Sequence, residues 1–188
     1  SLPKEKGVIA LLVETPKKDL YLGKKEHGIS LIRHNGKIEN FFPQFNKVKQ
    51  LLLDAEQNLW IATRRGGIYK KDAQANLISY KSEVGNPSSL SNNIVRGICE
   101  DNKGNLWVAT FNGLNKYIRK ENKFVQCDFL NENFHSLNDN SIYCLFKDTQ
   151  GTIWTGSYMG EINYFDPDYE IFEYHFNTNR DKLHPNRN

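Results

Sequence analysis

The sequence predicts an all-β protein made of about four four-stranded antiparallel β-propeller blades, which form an incomplete arc of a larger propeller. Three observations carry this prediction: a 47-residue internal repeat, four short apolar segments in each repeat, and a composition rich in aromatic residues. Of the 188 residues, 12% are Phe, Tyr or Trp and only one is Met, a mix that favours strands over helices. Repeats of this length with four strands each are typical of propeller blades.

An aspartate and a tryptophan that recur together define the repeat. Segments 54–63, 101–110 and 148–157 align without gaps at a spacing of 47 residues. The aligned residues are Asp54, Asp101 and Asp148, with Trp60, Trp107 and Trp154. A weaker first copy has Tyr21 in the tryptophan position, 39 residues before the first tryptophan.

Each unit divides into four apolar segments bounded by turn residues. In the first unit they start at Val8, Leu20, Gly28 and Lys37. In the next three units they cover 48–55, 59–65, 67–71 and 77–81, then 94–100, 106–111, 114–119 and 123–129, then 142–147, 153–158, 161–165 and 170–176. We therefore place the blades at about 7–47, 48–93, 94–140 and 141–180, with 181–188 as the lead-in to a further blade.

The repeated aspartates are interpreted as turn residues and not as acid–base or metal-binding groups. Asp caps backbone N–H groups, and Gly104 and Gly151, three positions after their aspartates, accept the left-handed conformation. In the second blade this position is Gln57, where a positive φ costs more. Segment 101–105 also lacks the alternating oxygen ligands of a calcium loop. Small residues follow each tryptophan, so we expect neighbouring sheets to pack closely, with the indole filling the gap.

The composition argues against several classes of function. The 25 basic and 22 acidic residues give a net charge of +3 and are interspersed, so nothing marks nucleic acid as a partner. No apolar run has the roughly 18–20 residues of a spanning helix, so any targeting or membrane segment is expected outside this chain. Cys99, Cys127 and Cys144 have no CxxC spacing, and we expect no metal, no cofactor and no catalytic residue.

The units closely resemble the two-component regulator propeller repeat. The resemblance lies in segments 54–69, 101–117 and 148–164, each with an aspartate, a turn, the tryptophan and a following aromatic, and in the Ser-Leu lead-ins at 89–94 and 136–141. It implies the periplasmic sensor region of a hybrid two-component histidine kinase, common in Bacteroidetes, that detects glycans or their breakdown products. Kinase activity, an inner-membrane anchor and control of carbohydrate-use genes would belong to the parent protein outside this chain, and sensors of this family carry more repeats.

Ligand-binding residues are expected on one face of the propeller, because the loops from strand two to strand three and the connectors between blades share that face. The candidates are Arg64, Arg65, Phe111, Asn112, Tyr158 and Met159. Guanidinium groups and aromatic faces suit anionic or sugar ligands, so we expect a carbohydrate-derived ligand.

Two alternatives stay open from the sequence. One is a propeller lyase resembling the streptogramin-inactivating enzymes, and the other is a complete four-bladed scaffold that binds protein partners. Because the first and last units each hold four segments of their own, we expect an open arc. The apolar faces of its terminal blades would contact the remaining blades of the parent protein or, in the isolated chain, a second copy.

Overall fold

The computed structural model describes residues 9–24, 28–42, 44–45, 47–127, 141–158, 162–168 and 171–175. In them, four antiparallel sheets of four strands follow one another along the chain. The strands are β1 (Ile9–Glu14), β2 (Leu20–Lys24), β3 (Ile29–Ile32), β4 (Ile38–Phe42), β5 (Val48–Leu53), β6 (Leu59–Thr63), β7 (Ile68–Lys71), β8 (Leu77–Tyr80), β9 (Val95–Glu100), β10 (Leu106–Thr110), β11 (Gly113–Ile118), β12 (Lys123–Cys127), β13 (Ile142–Lys147), β14 (Ile153–Ser157), β15 (Ile162–Asp166) and β16 (Ile171–His175). One 3-10 turn, Arg119–Glu121, precedes β12.

Each sheet is one propeller blade, with its strands hydrogen-bonded in sequence order. The first strands β1, β5, β9 and β13 pack against one another in succession, as the inner strands of adjacent blades do. The predicted fold class is therefore confirmed. The lead-in expected at 181–188 lies outside the described residues. No helix in the described part of the chain is long and apolar enough to span a membrane.

Two of the three tryptophans, Trp60 and Trp107, fill the gaps between blades, as the repeat predicts, whereas Trp154 lies on the outer face of blade 4. Trp60 and Trp107 are only 0% and 1% exposed. Trp60 packs edge-on against Tyr117 of blade 3, with ring centroids 4.9 Å apart, and Trp107 packs against Phe165 of blade 4 at 4.8 Å. Tyr21 takes the same position between blades 1 and 2.

The repeated aspartate joins its turn to the tryptophan. In blade 2, one carboxylate oxygen of Asp54 accepts the backbone N–H of Asn58 at 2.8 Å, and the other accepts the indole N–H of Trp60 at 2.8 Å. The same pair of bonds recurs from Asp101 and Asp148, with indole distances of 2.9 Å and 2.8 Å. The sequence predicted the backbone cap but missed the indole bond, which explains why the two residue types recur together.

The fourth position of this turn is left-handed in every blade. Gly104 and Gly151 have φ of 79° and 100°, and Gln57 has φ of 65°, as the alignment predicts. In blade 1, Lys18 takes the same position with φ of 63°. Thr15 replaces the aspartate there, and its hydroxyl accepts the backbone N–H of Asp19 at 3.1 Å.

An arginine that the sequence analysis did not single out joins blade 3 to blade 2. Arg119 donates to Asp54 at 2.8 Å, to Glu100 at 2.7 Å and to the carbonyl of Gly104 at 2.6 Å. The Asp54 side chain is fully buried. Burial alone would raise the pKa of Asp54, but the hydrogen bonds from Asn58, Trp60 and Arg119 lower it below its ordinary value. Arg119 therefore stabilises a buried charge at the interface between the two blades.

The outer face of blade 4 is apolar and uncovered. Phe146 and Ile162 are 63% and 53% exposed, and Trp154 on the same face is only half-buried. At the other end, Leu22 and Ser30 lie on the side of blade 1 turned away from blade 2, yet both are buried. The expectation of two bare terminal faces is thus met at blade 4 and wrong at blade 1.

We expect the isolated chain to self-associate through this face of blade 4, because contiguous exposed apolar side chains favour association. The double substitution Phe146→Ser and Ile162→Ser should shift sedimentation velocity profiles toward the monomer. Val84→Ser is the control, since Val84 is an exposed apolar residue on the connector after β8, and it should change nothing. A compact monomer of the unmodified chain at high concentration, measured by light scattering, would contradict the prediction.

Candidate functional site

The first strand of every blade contains a β-bulge at the same place. Pairing with the second strand skips one residue, and the skipped residues are Ala10, Lys49, Arg96 and Tyr143. The last three are 47 residues apart, in step with the tryptophans. Bulges re-aim a side chain and are frequent beside functional sites. We call this end of the blades, with the loops from strand two to strand three and the connectors between blades, the bulge face, and the opposite end the turn face.

In blades 2 to 4, the loop after the second strand is hydrogen-bonded to the residue two places before the bulge. The backbone N–H of Phe111 donates to the carbonyl of Ile94 at 3.0 Å, and that of Tyr158 donates to Ser141 at 2.9 Å. Arg64 has the same bond in blade 2, to Lys47 at 3.1 Å. Each of these three blades therefore presents one loop residue and one bulge residue at the same end of its sheet.

At the junction of blades 3 and 4 these positions form a cluster around Arg96. The central carbon of its guanidinium group lies 5.0 Å from the ring centre of Phe111, 5.2 Å from Tyr143 and 6.0 Å from Tyr158. One terminal nitrogen donates to the hydroxyl of Ser141 at 3.0 Å. Such cation–π contacts stabilise the arginine by about 0.5–1 kcal/mol each at exposed sites, so the guanidinium group is held in place before any ligand arrives.

The three aromatic rings of this cluster are open to solvent. Phe111, Tyr143 and Tyr158 are 48%, 57% and 68% exposed, although large aromatic side chains contribute most to stability when buried. Among the described residues, no carboxylate lies within ion-pair distance of Arg96. The arrangement thus offers aromatic surface beside a cation that has no counter-ion in the described structure, and it can bind a ligand with an apolar face and hydrogen-bond acceptors.

The predicted site residues are distributed over two places. Phe111 and Tyr158 come together in the Arg96 cluster, and Asn112 is exposed next to it, with its N–H donating to Thr110 at 3.1 Å. Arg64 is exposed on the loop of blade 2, while Arg65 lines a separate cleft. Met159 lies outside the described residues.

The cleft that Arg65 lines has a volume of about 560 Å³. Its other walls include Phe45, Lys47, Gly66 and Tyr69, and the rings of Phe45 and Tyr69 are 4.5 Å apart. This cleft lies on the bulge face of blade 2, with two basic residues at its rim. We regard it as a second surface of the same face.

Sequence reasoning missed Arg96 and Tyr143. Their positions recur every 47 residues as Lys49, Arg96 and Tyr143. Because the three residue types differ, the sequence pattern does not mark these positions as equivalent. Within the described part of the chain, no group of three or more His, Cys, Asp or Glu residues is placed to hold a metal ion.

Residues 89–112 and 136–159 match the family model described as two component regulator propeller. Each matched stretch runs from a Ser-Leu lead-in through the first and second strands of a blade to the loop that carries Phe111 or Tyr158. No sequence among the curated proteins matches the chain.

Among solved structures, the chain is similar to the extracellular domain of a hybrid two component system from B. thetaiotaomicron, with a TM-score of 0.77, 15% identity and coverage of 92% of this chain and 25% of that one. It is also similar to a catalytically inactive virginiamycin B lyase from Staphylococcus aureus with quinupristin, with a TM-score of 0.70, 15% identity and coverage of 92% of this chain and 57% of that one. At such identities the likeness shows the fold alone. The chain spans about a quarter of the first structure and just over half of the second.

Proposed function

We propose that this chain, whose third and fourth blades carry two-component regulator propeller repeats, is a ligand-binding segment in the periplasmic sensor region of a hybrid two-component system. Its ligand is a carbohydrate or a carbohydrate breakdown product. The remaining blades, the inner-membrane anchor and the histidine kinase that controls carbohydrate-use genes belong to the parent protein. The observation that carries the proposal is the Arg96 cluster, with exposed aromatic rings around a guanidinium group.

The chemistry of the cluster supports a saccharide ligand. Sugar rings present C–H groups on their faces, and these carry partial positive charge that the negative face of an aromatic ring attracts. Hydroxyl groups at the rim of a sugar accept hydrogen bonds, and the guanidinium group of Arg96 has five N–H donors, of which one is used by Ser141. A ring stacked on Tyr158 or Phe111 would therefore bring its oxygen atoms to Arg96.

The position of the cluster supports a role in signalling. Arg96 and Phe111 belong to blade 3, whereas Ser141, Tyr143 and Tyr158 belong to blade 4. A ligand that contacts both sets binds across a blade interface and favours one arrangement of the two blades. Differential binding of this kind is what a ligand needs to shift a conformational equilibrium.

We propose no catalytic role for this chain. The lyase alternative requires a histidine-centred polar cluster at the mouth of the ring. The histidine whose side chain the structure describes is His34, which lies on the turn face beside Asp19. Its backbone N–H donates to the Asp19 carboxylate at 2.9 Å. Turnover of a streptogramin such as quinupristin by this chain would overturn the non-catalytic assignment.

The proposal is tested by screening the chain on a glycan array, followed by calorimetry with the glycans that bind. Tyr158→Ala should weaken binding of these glycans about two- to tenfold, since one stacking partner is worth about 0.5–1.5 kcal/mol. Phe146→Ala is the matched control, because it removes an equally exposed aromatic ring from the outer face of blade 4, and it should leave affinity unchanged. Absence of any bound glycan, or equal losses in the two variants, would contradict the proposal.

A further inference from the structure

The donors of Arg96 are oriented for an acidic group. Aromatic rings lie over the guanidinium group, and Ser141 accepts from one of its terminal nitrogens. The other terminal nitrogen and Nε have no partner among the described residues. These donors lie in the guanidinium plane, where a carboxylate binds through two parallel hydrogen bonds.

Charge is distributed unequally between the two faces of the propeller. On the bulge face, the described side chains include six accessible or partly accessible bases and a single acid, Glu83. The bases are Lys47, Lys49, Arg64, Arg65, Lys81 and Arg96. Glu83 is on the connector after β8 and accepts a hydrogen bond from Asn86 at 2.7 Å.

On the turn face, acids and bases neutralise one another. Arg119 pairs with three carboxylates, Arg33 bridges Asp19 and Glu39, and Lys103 pairs with Asp168 at 2.8 Å. No described base of the bulge set has such a partner. Lys and Arg side chains that outnumber the carboxylates around them raise the local concentration of anions, so the described part of the bulge face favours a negatively charged ligand.

Blade 2 repeats the basic character next to the cluster. Lys49 takes the position of Arg96, and Arg64 takes the position of Phe111. A ligand seated on the Arg96 cluster and extending over blade 2 would therefore meet further cations and no aromatic ring at these two positions. This pattern fits a chain molecule that carries more than one negative charge.

We infer that the ligand is an acidic oligosaccharide whose uronic acid carboxylate binds the free donors of Arg96 while its sugar ring stacks on Tyr158 or Phe111. This inference rests on the proposed function and adds the chemical class of the saccharide. Lys49 and Arg64 contribute to binding of longer acidic chains through their charge, and added salt weakens the interaction because exposed charges are screened.

Calorimetry of the full chain with a matched set of trisaccharides tests this inference. The probes are a trigalacturonate, a neutral galactotriose and a sulfated galactotriose that has no carboxylate. We expect the trigalacturonate to bind at least tenfold more tightly than the neutral sugar. Arg96→Gln should abolish that difference while the neutral sugar keeps its weak binding through the aromatic rings. Lys103→Gln, on the turn face, is the control and should have no effect.

Each outcome has a separate meaning. Equal or tighter binding of the neutral sugar overturns the acidic assignment and leaves the proposed function standing. Preference for the sulfated sugar over the trigalacturonate overturns the carboxylate assignment. An Arg96→Gln variant that keeps the preference for the acidic sugar overturns the role of Arg96. Failure of all three sugars to bind overturns this inference, whereas the proposed function is overturned only if no glycan of the array binds.

Discussion

Trp60→Ala is expected to lower the free energy of unfolding by about 3–5 kcal/mol, the usual cost of truncating a buried tryptophan. The indole is fully buried between blades 2 and 3, packs against Tyr117 and donates to Asp54 at 2.8 Å. Its removal leaves a cavity in the interface and one bond fewer on a buried carboxylate. The measurement is urea unfolding followed by circular dichroism, at a concentration where the chain is monomeric.

Trp154→Ala is the matched control for this loss. Trp154 donates the same hydrogen bond, to Asp148 at 2.8 Å, but its face of blade 4 is open and the ring is half-buried. The expected cost is about 1–2 kcal/mol, made up of one hydrogen bond and a partial loss of buried area. Equal losses of unfolding free energy in Trp60→Ala and Trp154→Ala would contradict the conclusion that the outer face of blade 4 is exposed.

Arg119→Ala is expected to lower the free energy of unfolding by about 3–5 kcal/mol, because it leaves buried carboxylates without their counter-ion. Arg119 pairs with Asp54 across the interface of blades 2 and 3 and with Glu100 within blade 3. Lys103→Ala is the control, since Lys103 and Asp168 form an exposed pair whose loss should change the free energy of unfolding little because solvent screens the charges. A loss at Arg119 no larger than at Lys103 would contradict the interface role.

The same variant has a defined pH dependence. In the unmodified chain, burial raises the pKa of Glu100 despite Arg119, whereas the hydrogen bonds of Asp54 outweigh burial and lower its pKa. Without Arg119, the folded-state pKa of both carboxyls rises, so proton binding favours the folded variant. The difference in free energy of unfolding between the unmodified chain and Arg119→Ala should therefore decrease as the pH falls through about 4, where these carboxyl groups ordinarily titrate. If this difference increases on acidification, the two carboxylates are not the cause of the destabilisation by Arg119→Ala.

The repeat made most of the fold predictable. The 47-residue spacing located twelve strands in blades 2 to 4 to within a few residues, and it placed Gln57 at a left-handed position of its turn. Both results follow because the spacing of turn and tryptophan sets the pairing of the first two strands. Blade 1 matches the repeat less closely because its turn has Thr15 and Lys18 in place of aspartate and glycine, yet this turn keeps the left-handed residue and the side-chain cap.

The candidate site was predictable only in part. Phe111 and Tyr158 were found because loops of equivalent position share one face. Arg96 was missed because its orientation depends on a bulge, which is a property of backbone pairing and leaves no residue signature. Arg119 was missed because its partner Asp54 is 65 residues away, and interactions between blades are not encoded in the spacing of a single blade.

The central claim is that the bulge face at the junction of blades 3 and 4 is the ligand-binding face. Hydrogen–deuterium exchange of the chain, with and without a saturating glycan from the array, tests it most directly because exchange reports protection segment by segment. We expect added protection in 92–97, 110–113 and 155–158 and none in the turns 54–58, 101–105 and 119–122. Protection confined to those turns would place the ligand on the turn face and contradict the claim.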